Sequence, residues 1–145
     1  MTRHMSRWLL AATGLTLAVV GSGVAFVPQP FYAGYGITLA DGAPLLGELR
    51  ASGLTLLTWG ALVGAGAVMS RLAATSALVG SVTMLAHAAG RVLSWASDGG
   101  LAPGLAAAGA VELALGVACV WVLTRPQADG GSERPRPATV HDAGR

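Results

Sequence analysis

Lipid offers a charged side chain no solvent, and this chain places charges inside runs that are otherwise apolar. Four such runs, at about 8–27, 45–69, 72–93 and 104–123, each reach the ~20 residues a helix needs to cross a bilayer. Glu48 and Arg50 stand at the head of the second run, His87 and Arg91 late in the third, and Glu112 inside the fourth. A charge at mid-membrane costs at least about 2.5–3.5 kcal/mol on insertion scales, so groups of this kind need partners. Composition points the same way. The chain is 53% hydrophobic and 11% charged, whereas a soluble domain carries about 25% charged residues. The pattern predicts an all-α fold: an integral membrane four-helix bundle, with 8–123 as the transmembrane domain.

The first run follows Arg3, His4 and Arg7, which is signal-peptide-like. Its apolar part exceeds the usual ~7–15 residues of a signal core, and an uncleaved first helix is expected. Pro28-Gln29-Pro30 ends it, because proline lacks an N–H donor and restricts the residue before it. Phe31, Tyr32 and Tyr35 then suit a membrane–water interface. The connection to Pro44 is read as an interfacial loop, with a lid over a cavity as the alternative. Only Ser70 and Arg71 separate the second and third runs, which makes those helices antiparallel neighbours. Asp98-Gly99-Gly100 is turn chemistry, and Pro103 suits the first turn of the last helix. The polar tail 124–145 is too poor in apolar residues to order itself, and disorder is expected there.

Orientation follows from arginine. Arg3, Arg7, Arg71, Arg125, Arg134, Arg136 and Arg145 fall on one side, and Arg50 and Arg91 lie toward the other. By the positive-inside rule both termini, including segment 1–7 and the tail, are expected to be cytoplasmic. Trp8 and Trp121 then mark the inner interface and Trp95 the outer one.

Helical periodicity sorts each run into faces. In the third, Ala73, Ser76, Gly80, Thr83, His87, Arg91 and Ser94 form one stripe, opposite Leu78, Val82, Leu85, Ala89 and Val92. Small and polar residues face other helices in a membrane, so the first stripe points inward. The fourth run aligns Leu105, Ala108, Gly109, Glu112, Gly116 and Cys119. The second has two faces: Glu48, Ser52, Thr55, Trp59 and Gly66 on one, Arg50, Gly53, Leu57, Gly60 and Gly64 on the other. That suits a central helix, or one serving both the bundle and an oligomer contact. The expected site is an outer-leaflet charge network in which Glu112 pairs with Arg91, completed by His87, Glu48 and Arg50. The competing expectation has Arg50 and Arg91 snorkelling to headgroups, with Glu48 and Asp98 solvated.

Other chemistries find no footing. One cysteine excludes an intrachain disulfide and any Cys-based metal site. His4, His87 and His141 lack metal-ligand spacing, no cofactor motif is visible, and no serine sits in a nucleophile elbow. Arginine does not alternate with aromatics in a basic stretch, so nucleic acid is not an expected partner. The expected partner is the lipid bilayer, with a homo-oligomer or a membrane partner subunit as further possibilities.

Glu48-Leu49-Arg50 with Gly53 and Gly60, then Gly90-Arg91, Asp98-Gly99 and Glu112, resemble in order and spacing a bacterial family of small membrane proteins. It is catalogued as domain of unknown function 4345, and the resemblance spans roughly residues 8 to 123. Leu54 stands where that pattern has a second glycine. The resemblance implies four membrane helices in a bacterial inner membrane and no assigned activity. In layout the chain is also similar to DoxX-like membrane proteins, some of them linked to quinone or thiol redox chemistry. The leading expectation is a structural or accessory protein, not an enzyme. The alternative is a carrier or binding protein for a small anion, a proton or a lipid-soluble molecule such as a quinone. A membrane oxidoreductase subunit comes third.

Overall fold

The computed structural model describes residues 2–100 and 102–125. Within them the chain forms α1 (Thr2–Phe26), α2 (Pro28–Ala33), α3 (Ala43–Val68), a 3-10 turn (Ser70–Leu72), α4 (Ala73–Asp98) and α5 (Pro103–Leu123). Four of these, α1, α3, α4 and α5, are long and apolar enough to cross a membrane. The expected tail disorder falls, from residue 126 on, outside the described residues.

Prolines and one glycine punctuate the chain. Pro28, Pro44 and Pro103 each sit in the first turn of a helix, where the missing N–H has no intrahelical acceptor to lose. The proline pair therefore does more than stop α1. The backbone breaks only at Val27 and restarts as α2, so the expected loop is partly helical. Gly99 ends α4 in the left-handed conformation (φ 73°), with its N–H donating to the Trp95 carbonyl at 3.2 Å. Asp98 is thus the last helical residue, and α4 runs one turn beyond the apolar stretch that predicted it.

The helices assemble as two intimate pairs, α1 with α3 and α4 with α5. The pairs join mainly through α3 and α4, α1 also touches α4 and α5, and the backbones of α3 and α5 stay apart. The α1–α3 seam is made of backbone. A Cβ added to Gly60 would lie 2.6 Å from the Ala18 nitrogen and 2.8 Å from the Gly14 carbonyl oxygen. One added to Gly21 would strike the Leu57 nitrogen, and one added to Gly53 the Ala25 nitrogen. Small residues let the backbones close to this distance, and dispersion then replaces the hydrophobic drive that lipid cannot supply. Gly64 belongs to the seam differently. Its own Cβ direction is open, but a Cβ on Gly14 would lie 2.6 Å from its nitrogen.

All four long helices meet at one layer. A Cβ on Gly80 of α4 would find Cys119 Sγ of α5 at 3.1 Å, Thr13 Cγ2 of α1 at 3.4 Å and Val63 Cγ1 of α3 at 3.5 Å. Leu10, Leu17, Ala77, Met84 and Val122 complete this core. Thr13 Oγ1 and Cys119 Sγ are 3.5 Å apart within it, and Ser76 Oγ donates to the Leu62 carbonyl at 2.8 Å, tying α4 to α3. α1 is a full member of the bundle, with Leu10, Thr13 and Leu17 buried.

The inward face of α4 is rotated slightly from the one periodicity predicts. Ser76, Ala77, Gly80, Ser81, Met84 and Ala88 are buried, while Leu78, Val82 and Val92 face outward. Leu85, expected on the lipid side, instead packs where a Gly116 side chain would stand, 2.8 Å from that Cβ position. The glycine leaves a hole on α5, and the leucine fills it.

Candidate functional site

The charged residues of α4 and α5 face each other because the two helices are consecutive and antiparallel. Glu112 lies nine residues into α5, roughly 13 Å along it, and Arg91 lies seven residues before the end of α4, roughly 10 Å. The two side chains therefore meet at matching depth. Arg91 Nε donates to Glu112 Oε2 and Arg91 Nη2 to Oε1, both at 2.7 Å. This fork-to-fork arrangement is the strongest form of the interaction, since both bonds are charge-assisted and the planes match. The Glu112 side chain is 11% exposed and that of Arg91 25%. Gly109, one turn before Glu112, makes the approach possible: a Cβ there would sit 3.0 Å from Arg91 Cδ.

His87, one turn before Arg91, places Nδ1 4.0 Å from Glu112 Oε1. That is too far for a hydrogen bond but within range of a charge interaction. Its side chain is 41% exposed, so it links the buried carboxylate to the outside of the bundle. Tyr32 and Tyr35 lie near enough to Arg91 to interact with it electrostatically. They arrive on α2 and the turn that follows. Phe31 occupies the space beside Gly23 of α1, its ring 5.6 Å from that of Tyr32 and 5.4 Å from that of Tyr35. Tyr35 in turn packs on Gly104, whose Cβ would lie 3.1 Å from Tyr35 Cδ1. The segment expected to lie along the interface thus folds back over the α4–α5 end of the bundle.

The structure brings His87, Arg91 and Glu112 together and leaves Glu48 and Arg50 apart. Both of these are exposed, and among the described residues neither forms an ion pair. The reason is the helix arrangement: the glycine seam commits α3 to α1, and α5 stands across the bundle from it. On the expected α3 face, Glu48, Ser52, Thr55 and Trp59 are likewise exposed, but Gly66 is buried against Ser76 of α4. Three tethers have little sequence signature: Thr13 to Cys119, Ser76 to Leu62, and Arg7 Nε donating to the Ala67 carbonyl at 2.6 Å. Ser76 lay on the predicted inward stripe, but its acceptor is a backbone carbonyl that no motif announces. Among the described residues no group of three His, Cys, Asp or Glu side chains is placed to hold a metal ion. Nor is any buried side-chain nitrogen or oxygen among them without a hydrogen-bond partner.

Residues 5–123 match the family model described as "Domain of unknown function (DUF4345)", and the chain belongs to that family. No curated protein and no solved structure matches it.

Proposed function

Taking the chain as a member of that family, we propose that it is a non-catalytic structural or accessory protein of the bacterial inner membrane, with both termini cytoplasmic. The observation that carries this reading is the closed Arg91–Glu112 pair. Both carboxylate oxygens are engaged by one guanidinium at 2.7 Å, so a substrate would have to compete with that pair for Glu112. A pair so satisfied holds two helices in one register. The exposed α3 face of Glu48, Ser52, Thr55 and Trp59 is the surface we assign to a partner subunit or a second copy.

A second reading rests on His87. A half-exposed imidazole 4.0 Å from a buried carboxylate, with Tyr35 packed against Gly104 at the start of the same helix, suits a proton or a quinone headgroup. Purification in mild detergent followed by solvent extraction and mass spectrometry separates the two. A retained protein partner or self-association sensitive to Trp59→Ala supports the accessory role. A stoichiometric quinone that is lost with His87→Ala replaces that role with the carrier. Reporter fusions at both termini test the orientation, and a periplasmic signal from either end refutes it.

A further inference from the structure

The end of the bundle opposite the buried pair has an unusual distribution of charge. Arg3, Arg7, Arg71 and Arg125 belong to that end, at the start of α1, in the turn after α3 and just past α5. The four acidic residues among those described, Asp41, Glu48, Asp98 and Glu112, all lie in the other half of the bundle. At this basic end a hollow of about 320 Å³ opens between the start of α1 and the end of α3, walled by His4, Arg7, Trp8, Ala11 and Ala67. Two of the lining residues are alanines, which leave room beside the larger His4, Arg7 and Trp8.

Arg7, although exposed, is tethered at the wall of this hollow. Its Nε donates to the Ala67 carbonyl, one of the α3 C-terminal carbonyls that has no partner within the helix. That bond restrains the guanidinium through its Nε. It also leaves both Nη groups without an acidic partner among the described residues. Arg125 is differently employed, stacked on the Trp121 ring at 3.4 Å. Trp8, 74% exposed, stands beside the hollow where an indole takes its place between headgroup and acyl chain.

We propose that this hollow is a binding site for an anionic phospholipid of the leaflet it faces. The phosphate is received by the Nη groups of Arg7 with His4 beside them, and the first acyl segment lies along Ala11 and Ala67 against Trp8. Charge complementarity favours an anionic lipid: a zwitterionic headgroup brings its own cation to an end where no described carboxylate receives it. Basic pockets between helix ends are a known form of lipid recognition, each arginine near the surface being worth about fivefold in affinity. This site is separate from the α4–α5 pair and stands or falls independently of the accessory role.

The test is native mass spectrometry of the full chain released from nanodiscs that contain phosphatidylglycerol and phosphatidylcholine with the same acyl chains. The parent should retain phosphatidylglycerol about fivefold or more over phosphatidylcholine. Arg7→Gln should bring the ratio close to one. Arg7→Gln also removes the Ala67 tether, so Ala11→Leu provides a second variant that fills the hollow and keeps the arginine. It should lose the bound lipid while its thermal unfolding stays at the parent value. Glycerophosphate, which has the anion without acyl chains, should not displace the lipid; displacement would make the site one for a soluble phosphate and overturn the proposal. Equal retention of the two lipids by the parent would overturn it too, as would undiminished selectivity in both variants.

Discussion

Replacing Glu112 with glutamine removes the charge and keeps the shape, so it measures what the pair contributes. Two charge-assisted hydrogen bonds of 2.7 Å are at stake. Bonds to charged groups contribute about 1.5–3 kcal/mol each in soluble proteins, and stripping one partner from a buried pair costs about 3–5 kcal/mol. One feature of the structure and one general property of membrane helices lower that figure. Arg91 is 25% exposed and roughly 10 Å from the end of α4, so once released it can extend toward the headgroups. Polar contacts between membrane helices also average only about 0.6 kcal/mol, with a maximum near 1.7, because the unfolded chain in a micelle finds other partners. The geometry here is at the favourable end, bidentate with an 11% exposed carboxylate. We therefore expect Glu112→Gln to cost about 2 kcal/mol. The measurement is unfolding of the purified protein in mixed micelles by titration with a denaturing detergent, followed by helical circular dichroism. The exchanged double variant Arg91→Glu/Glu112→Arg should recover at least half of the loss, since the pair is re-formed in reverse. A midpoint for Glu112→Gln indistinguishable from the parent, or an exchange variant no better than its singles, would refute the helix-locking role.

Gly60→Ala should part α1 from α3 and destabilise by about 1–3 kcal/mol, because the new methyl meets backbone that cannot rotate away. The contrast is Gly64→Ala, four residues on, where the Cβ enters open space; the same titration should show no loss, or a gain of up to about 1 kcal/mol from helix propensity. Ser76→Ala removes the 2.8 Å bond to the Leu62 carbonyl and should cost roughly 0.6 kcal/mol. Cys119 has no exposed surface at the junction of the helices, so a maleimide should leave it unlabelled in the folded protein and label it on denaturation. Rapid labelling of the native protein would mean that the junction opens.

Long apolar runs determined the four long helices, though not the short α2, because in lipid a backbone can satisfy its N–H and C=O groups only within itself. The connection of two residues between the second and third runs likewise settled that α3 and α4 are neighbours, and consecutive antiparallel helices made a meeting of Arg91 with Glu112 geometrically easy. Periodicity identified Glu112, Gly116 and Cys119 as one buried face of α5. It assigned Leu85 to the wrong side, since whether a leucine faces lipid or a glycine depends on what the neighbouring helix offers. Glu48 and Arg50 show the same limit. Their place in the sequence suits an outer-half network, but membership depended on which helices adjoin. That was decided by Gly14, Gly21, Gly53 and Gly60 closing α1 onto α3, a contact between backbones whose register no single helix contains. The return of Tyr32 and Tyr35 toward Arg91, and the capture of the Ala67 carbonyl by Arg7, were decided in the same way. One-dimensional spacing records which face a residue occupies, but the partner across from it exists only once the helices have packed.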